Sequence, residues 1–162
     1  MSVARAYLDT CIVSGLAKRD LTPDDESALL RILQARKTGT IELVTSRVTH
    51  TEISAIPEEF RNQHSIIYNL LADVPLAATD YRIPPFKPAP MFKRRDQLLV
   101  SLERLLPDAG DASHVFQAAR NGVGYLITVD HRTMLKHAKA VSQLCGVILV
   151  NPVQFEHTVL AG

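Results

Sequence analysis

The chain predicts an α/β fold built around a mostly parallel sheet, and three observations carry that reading. Short apolar runs of four or five residues recur along the sequence. Helical patterns lie between them. The 162 residues suffice for one domain with a self-sufficient core.

Taken in order, Ala4 to Leu8 is the first apolar run and ends at Asp9. Thr22-Pro23-Asp24-Asp25-Glu26 then reads as a helix start, with a threonine cap, proline in the first turn and acids at the positive end of the dipole. Leu29, Leu30, Ile32 and Leu33 supply its apolar face up to about Lys37, and Gly39 stops it. Ile41 to Thr45 is the second strand. Helical stretches follow over about Arg47 to Ile56, Glu58 to Ala72, Asp96 to Leu106 and Asp111 to Asn121. Tyr125 to Val129, closed by Asp130, is the third strand. A helix over about His131 to Leu144 leads to the fourth, Val147 to Val150, bounded by Gly146 and Asn151-Pro152. Near-continuous apolar runs of this length suit buried parallel strands. The segment from Tyr81 to Arg95 stands apart, because its prolines exclude a regular helix or central strand. It reads as an extended loop, either a solvated connector or an arm for RNA or a partner. In the second case Lys87, Lys93, Arg94 and Arg95 would neutralise phosphates while Tyr81, Phe86 and Phe92 stack on bases.

Composition narrows the class. Hydrophobic residues make up 46% and charged residues 22%, which excludes a disordered chain. No apolar run approaches the ~18 residues of a membrane span, and the N-terminal residues are too poor in apolar content for a signal peptide. Two cysteines, Cys11 and Cys145, make neither a disulfide framework nor a zinc set. A cytoplasmic protein is expected. The formal net charge of +1 excludes recognition of nucleic acid by bulk charge, so RNA binding would need a local patch.

Position singles out four carboxylates. Asp9 and Asp130 end strands, and in open α/β sheets ligands bind at the carboxyl ends of strands. Both would point into one crevice if those strands are neighbours. Glu52 shares a helix face with Val48 and Ile56, where a glutamate must reach solvent or a cation. The alternative there is a capping box over Thr49-His50-Thr51-Glu52. Asp111 follows Pro107 and Gly110 and reads as a helix cap or as a metal ligand kept ionised by the helix dipole, with Asp108 competing for either role. Converging carboxylates repel, and a fold retains them where something positive sits between them. Hard oxygen donors select magnesium or manganese, which suits phosphoryl transfer. His50, His114 and His131 adjoin the proposed ligands and read as polar surface neighbours, with a general acid as the sharper alternative. Cys11 reads as a small buried filler. Arg47 and Lys136 read as parts of solvated helix faces, with phosphate contact as the alternative.

These segments resemble the PIN domain family. Tyr7-Leu8-Asp9-Thr10 resembles its opening, an apolar strand ending in Asp-Thr before a helix. Val44 to Glu52 resembles its second motif, Gly110-Asp111-Ala112 through Ala118-Ala119 its third, and Leu126-Ile127-Thr128-Val129-Asp130 its fourth. The order and spacing agree from residue 4 to about 150. The resemblance implies a three-layer α/β/α sandwich over a single domain, 1–162, and a Mg2+- or Mn2+-dependent endoribonuclease. It carries over Asp9, Glu52, Asp111 and Asp130 as catalytic metal ligands and Thr10 and Thr128 as hydroxyls that orient them. Cys11 departs from it, standing where many members carry asparagine. Many small bacterial members are VapC-like toxins held by an antitoxin, so an antitoxin and a homodimer are the expected partners. The alternatives are a free-standing RNA-processing nuclease and a catalytically weak module that binds RNA or protein.

Overall fold

The computed structural model describes residues 3–62 and 96–162. Four strands, β1 (Ala4–Leu8), β2 (Ile41–Val44), β3 (Tyr125–Ile127) and β4 (Ile148–Val150), form one sheet in the order β2-β1-β3-β4. Every pairing is parallel, with Tyr7 opposite Val44 on one side and Leu126 on the other. The helices are α1 (Thr10–Lys18), α2 (Pro23–Lys37), α3 (Arg47–Ser54), α4 (Gln97–Leu105), α5 (Ala109–Arg120), α6 (Ala138–Cys145) and α7 (Pro152–Phe155). None of the described helices is long and apolar enough to cross a membrane.

Alternation along the strands makes two cores. Tyr7, Val44, Leu126 and Leu149 face Leu99 and Leu102 of α4, Val115 and Phe116 of α5, and Val141 of α6. Ala6, Leu8, Leu43, Ile127 and Val150 face Ile12 of α1, Leu29 and Ile32 of α2, and Phe155 of α7. Helices thus cover both faces of the sheet, which is the expected three-layer α/β/α arrangement. It also explains why the strands carry no polar alternation. At about 1.5–3 kcal/mol for each fully buried large apolar side chain, both faces contribute heavily to stability.

Local chemistry sets the helix starts. Thr22 caps α2 through its side chain, with Pro23 in the first turn as expected. Asp96 caps α4 and pairs with Arg120 of α5 at 2.6 Å. Asp108 caps α5, accepting from the N–H groups of Gly110 and Asp111, so that helix starts at Ala109 and Asp111 lies in its first turn without capping it.

Three other expectations are corrected. The helix over His131 to Leu144 is broken, because the Asp130 carbonyl accepts from Leu135 N–H, one residue beyond the α-helical partner. The chain makes turns there, then a 3-10 segment at Leu135–His137, and only then α6. The Glu52 capping box is absent, because α3 begins at Arg47 with Ser46 as its cap. The second and third strands end at Val44 and Ile127, before Thr45 and Val129. Helical structure does begin at residue 58, as expected, and runs to the end of the first described stretch at 62. The proline-rich segment from Tyr81 to Arg95, with Lys87, Lys93, Arg94 and Arg95, lies outside the described residues. The C-terminus packs on its own domain. Phe155 is buried edge-on to Tyr125, and Glu156, in a π-helical turn (Glu156–Leu160), pairs with Arg31 of α2.

Candidate active site

The carboxyl ends of β1 and β3 are hydrogen-bonded neighbours, which brings Asp9 and the Thr128–Asp130 segment together. Asp9 follows β1 and caps α1, accepting from Thr10 N–H at 2.8 Å through Oδ1. Its Oδ2 accepts from the Thr128 hydroxyl at 2.8 Å. The oxygen of Thr128 accepts in turn from Asp130 N–H at 3.1 Å. The sulfur of Cys11 lies 3.1 Å from that same oxygen and accepts from Val129 N–H at 3.3 Å. Burial pushes the Cys11 thiol up, with the Asp9 charge adding to the effect. Cys11 is half-buried, and its sulfur bridges the start of α1 and the segment after β3.

Glu52 projects from α3 toward the same crevice. Its Oε2 accepts from the Thr10 hydroxyl and lies 2.8 Å from His114 Nε2. His114 Nε2 is also 3.4 Å from Asp9 Oδ1. Burial acts to raise the Glu52 carboxyl, but the bond to His114, that residue's charge and the Thr10 bond outweigh it, leaving the group below its ordinary value. For His114, burial acts downward. The charge of Asp9 and the bond to Glu52 outweigh burial, and its value is raised. Only 1% of His114 is exposed, so the expectation of a polar surface neighbour is corrected for that residue. His131 is exposed as expected, and the side chain of His50 lies outside those described. Nothing in the residues around it distinguishes His114 locally, since it faces inward because of where α5 docks.

Asp111 and Asp130 form a second pair, bridged by Thr133. The Thr133 oxygen is 2.5 Å from Asp111 Oδ2 and 2.8 Å from Asp130 Oδ2. A hydroxyl has one hydrogen to donate, so both bonds are made when Asp111 carries a proton and donates to Thr133, which donates to Asp130. The charge balance agrees with that order. Asp111 is pushed up to about 6, first by burial and then by the charges of Asp9, Asp108 and Asp130 against the Thr133 bond. Asp130 is lowered despite burial, because it accepts from the N–H groups of Thr133 and Arg132 as well as the Thr133 hydroxyl. Thr133 was not among the residues picked out from sequence, and His114 was weighed there only as a surface neighbour or general acid.

Gly110 ties the two pairs together. A Cβ built there would lie 2.6 Å from Glu52 Oε1 and 2.9 Å from Asp108 Oδ1, so a larger residue would make those side chains shift. Asp108 itself is exposed and occupied as a cap. All four expected acids, with Thr10 and Thr128, thus gather at one end of the sheet. Among the described residues, no group of three or more His, Cys, Asp or Glu side chains is arranged so that it could hold a metal ion. The acids are instead held in pairs by His114 and Thr133. In chemical type the donors would suit a hard cation, since four carboxylates supply the oxygen ligands that such an ion takes.

Beside this cluster, a cavity of about 330 Å³ carries His131, Lys136, Asn151 and Gln154 on its polar side and Leu135, Ala138 and Leu149 on its apolar side. None of the four acids lines it. In comparisons with known proteins, no family model, no curated protein and no solved structure matches the chain.

Proposed function

We propose that the chain is a Mg2+- or Mn2+-dependent endoribonuclease of the PIN type. The observation that carries this reading is the meeting of Asp9, Glu52, Asp111 and Asp130 from four separate segments at the carboxyl end of a parallel sheet. A structural purpose for so many acids in one place would call for matching cations. His114 is the basic group that faces Glu52 and Asp9. For Asp111 and Asp130, the bridging group is a neutral threonine.

Asp9, Glu52, Asp111 and Asp130 would hold the ion, with Asp9 braced by Thr128 and Glu52 by Thr10. When bound, the ion supplies positive charge that favours ionisation of water and offsets the charge growing on the phosphodiester during in-line attack. The chain's own part is to hold oxygens in place and keep their partners fixed, so that little reorganisation accompanies the reaction. Lys136 and His131 flank the neighbouring cavity and offer a place for the nucleotide next to the cut, with Lys87, Lys93, Arg94 and Arg95 as further phosphate contacts.

Within this reading the chain is the toxin of a toxin–antitoxin pair, homodimeric and covered by an antitoxin. The alternatives are a free-standing RNA-processing enzyme and a binding module of weak activity. The test is cleavage of a mixed RNA pool by purified protein with Mg2+ or Mn2+, with chelator, and by Asp9→Asn. Metal-dependent cleavage lost in the variant supports the nuclease. Absence of cleavage by folded, partner-free protein with either ion would move the assignment to the binding module. Co-purification with a small DNA-binding protein that inhibits cleavage would separate the toxin from the processing enzyme.

A further inference from the structure

His114 is buried, yet both ring nitrogens have partners on other elements. Nδ1 lies 2.7 Å from the Tyr7 hydroxyl, and Nε2 lies 2.8 Å from Glu52 Oε2 and 3.4 Å from Asp9 Oδ1. Behind the ring, the Tyr7 oxygen is 2.6 Å from Ser46 Oγ, which accepts from Val48 N–H at 3.2 Å. The Tyr7 and His114 rings also meet edge to face, with centroids 5.4 Å apart. A line of hydrogen bonds therefore starts at the first turn of α3, passes through Tyr7 of β1 and His114 of α5 and ends on Glu52, with Asp9 close by.

The bonds have a direction. With the ring neutral, Val48 N–H donates to Ser46, the Ser46 hydroxyl to Tyr7, the Tyr7 hydroxyl to Nδ1, and Nε2–H to Glu52, with the Thr10 oxygen 3.2 Å from the same nitrogen. The opposite neutral tautomer would aim a lone pair at two carboxylate oxygens, which is repulsive. Resting on the ribonuclease reading, we propose that His114 is a positioning residue for the reaction and that Tyr7 fixes the ring nitrogen with which it acts. Nε2–H holds Glu52 Oε2, together with the Thr10 hydroxyl. The other oxygen, Oε1, is thereby turned toward Gly110 and the first turn of α5, the turn that carries Asp111. Without that hold, Glu52 would sample several rotamers and present its free oxygen to the ion only part of the time. Packing alone does not account for the arrangement. A leucine would fill the same volume without needing polar partners on both sides.

The experiment uses full-length, metal-free protein and the variants His114→Leu, His114→Gln and Tyr7→Phe. Mn2+ affinity is measured by calorimetry, kcat and KM with a fluorogenic RNA, and the ring tautomer by 15N NMR. Wild type should show the Nε2–H form. H114L should weaken Mn2+ binding about 10–100-fold and lower kcat by a similar factor, with KM nearly unchanged. H114Q should recover most of both losses, because its amide N–H reaches Glu52. Y7F should cost up to about 10-fold and add nothing in the H114L background. Wild-type Mn2+ affinity and kcat in folded H114L would overturn the proposal, as would H114Q no better than H114L. If H114L does not fold, Y7F decides the matter, and an unchanged tautomer with unchanged kcat overturns the proposal. A wild type that binds Mn2+ and cleaves, with unaffected variants, removes only the role of His114. A wild type that neither binds Mn2+ nor cleaves removes the ribonuclease reading as well.

Discussion

Thr133 shows how one hydroxyl changes the behaviour of two acids, because while it donates to Asp130 it can bond to Asp111 only as an acceptor. This has a consequence for stability against pH. The folded value of Asp111, about 6, lies above its ordinary value of 3.8, so the folded state holds the extra proton between those values. Its penalty is therefore absent below pH 3.8, grows as pH rises through that window, and is fully present above about 6. In chelator, Asp111→Asn should melt higher than wild type at pH 7.5, by roughly 2–6 °C, and equally at pH 4. Thermal scans at the two pH values check this, and a gain at both would mean that the Asp111 charge is not the cause. Asp9→Asn should abolish metal-dependent cleavage, by about 100-fold or more, while the fold persists, since asparagine caps a helix about as well as aspartate. Circular dichroism beside the cleavage assay separates the two effects. The acids were legible in sequence because Asp9, Asp111 and Asp130 stand at strand ends or a helix start and Glu52 interrupts an apolar helix face. His114 and Thr133 were not, because their meaning comes from partners supplied by distant segments.

At the scale of elements, the start of α5 carries the most information. Alanine forms helices better than glycine by up to about 1 kcal/mol, so Gly110→Ala should leave stability nearly unchanged or raise it slightly. The new Cβ would nonetheless press on Glu52 Oε1, whose other oxygen is already held, and cleavage should fall about 10–100-fold. A melting curve and a rate measured on the same sample check both halves. Equal activity would mean that Glu52 can step aside without consequence. The strands were readable as apolar runs because parallel strands covered on both faces leave no polar alternation. The helix after Asp130 was not readable, since sequence periodicity does not reveal that the Asp130 carbonyl would pair with Leu135. Likewise the capping-box spacing at Thr49 to Glu52 was genuine, but Ser46 starts that helix earlier and turns Glu52 toward the site.

For the molecule as a whole, the C-terminal segment closes one of the two cores. Phe155→Ala should destabilise the protein by about 3–5 kcal/mol, measured by urea unfolding, because the ring is fully buried between Tyr125 and the apolar face formed with α2. Loss of the exposed Arg31–Glu156 pair, by Glu156→Gln, should change stability far less. The α/β fold around a parallel sheet could be read from element order, and the three layers came from the family resemblance. The coverage of α2 by the C-terminal segment could not, since a short amphipathic tail fits the flank of a sheet or a second subunit equally well.

The strand order holds one more consequence, for the time at which the site comes into being. β3, the neighbour of β1 that carries Thr128 and leads to Asp130, is made after more than a hundred residues of chain have followed β1. A chain still emerging from the ribosome with only β1 and β2 has Asp9 and Glu52 but lacks the strand that brings Asp130 beside them. Pairing across so long a loop is slow and waits for both partners. On the proposed ribonuclease reading, the chain would thus be inert for most of its own synthesis, and its mRNA would meet the finished site only after translation has passed β3.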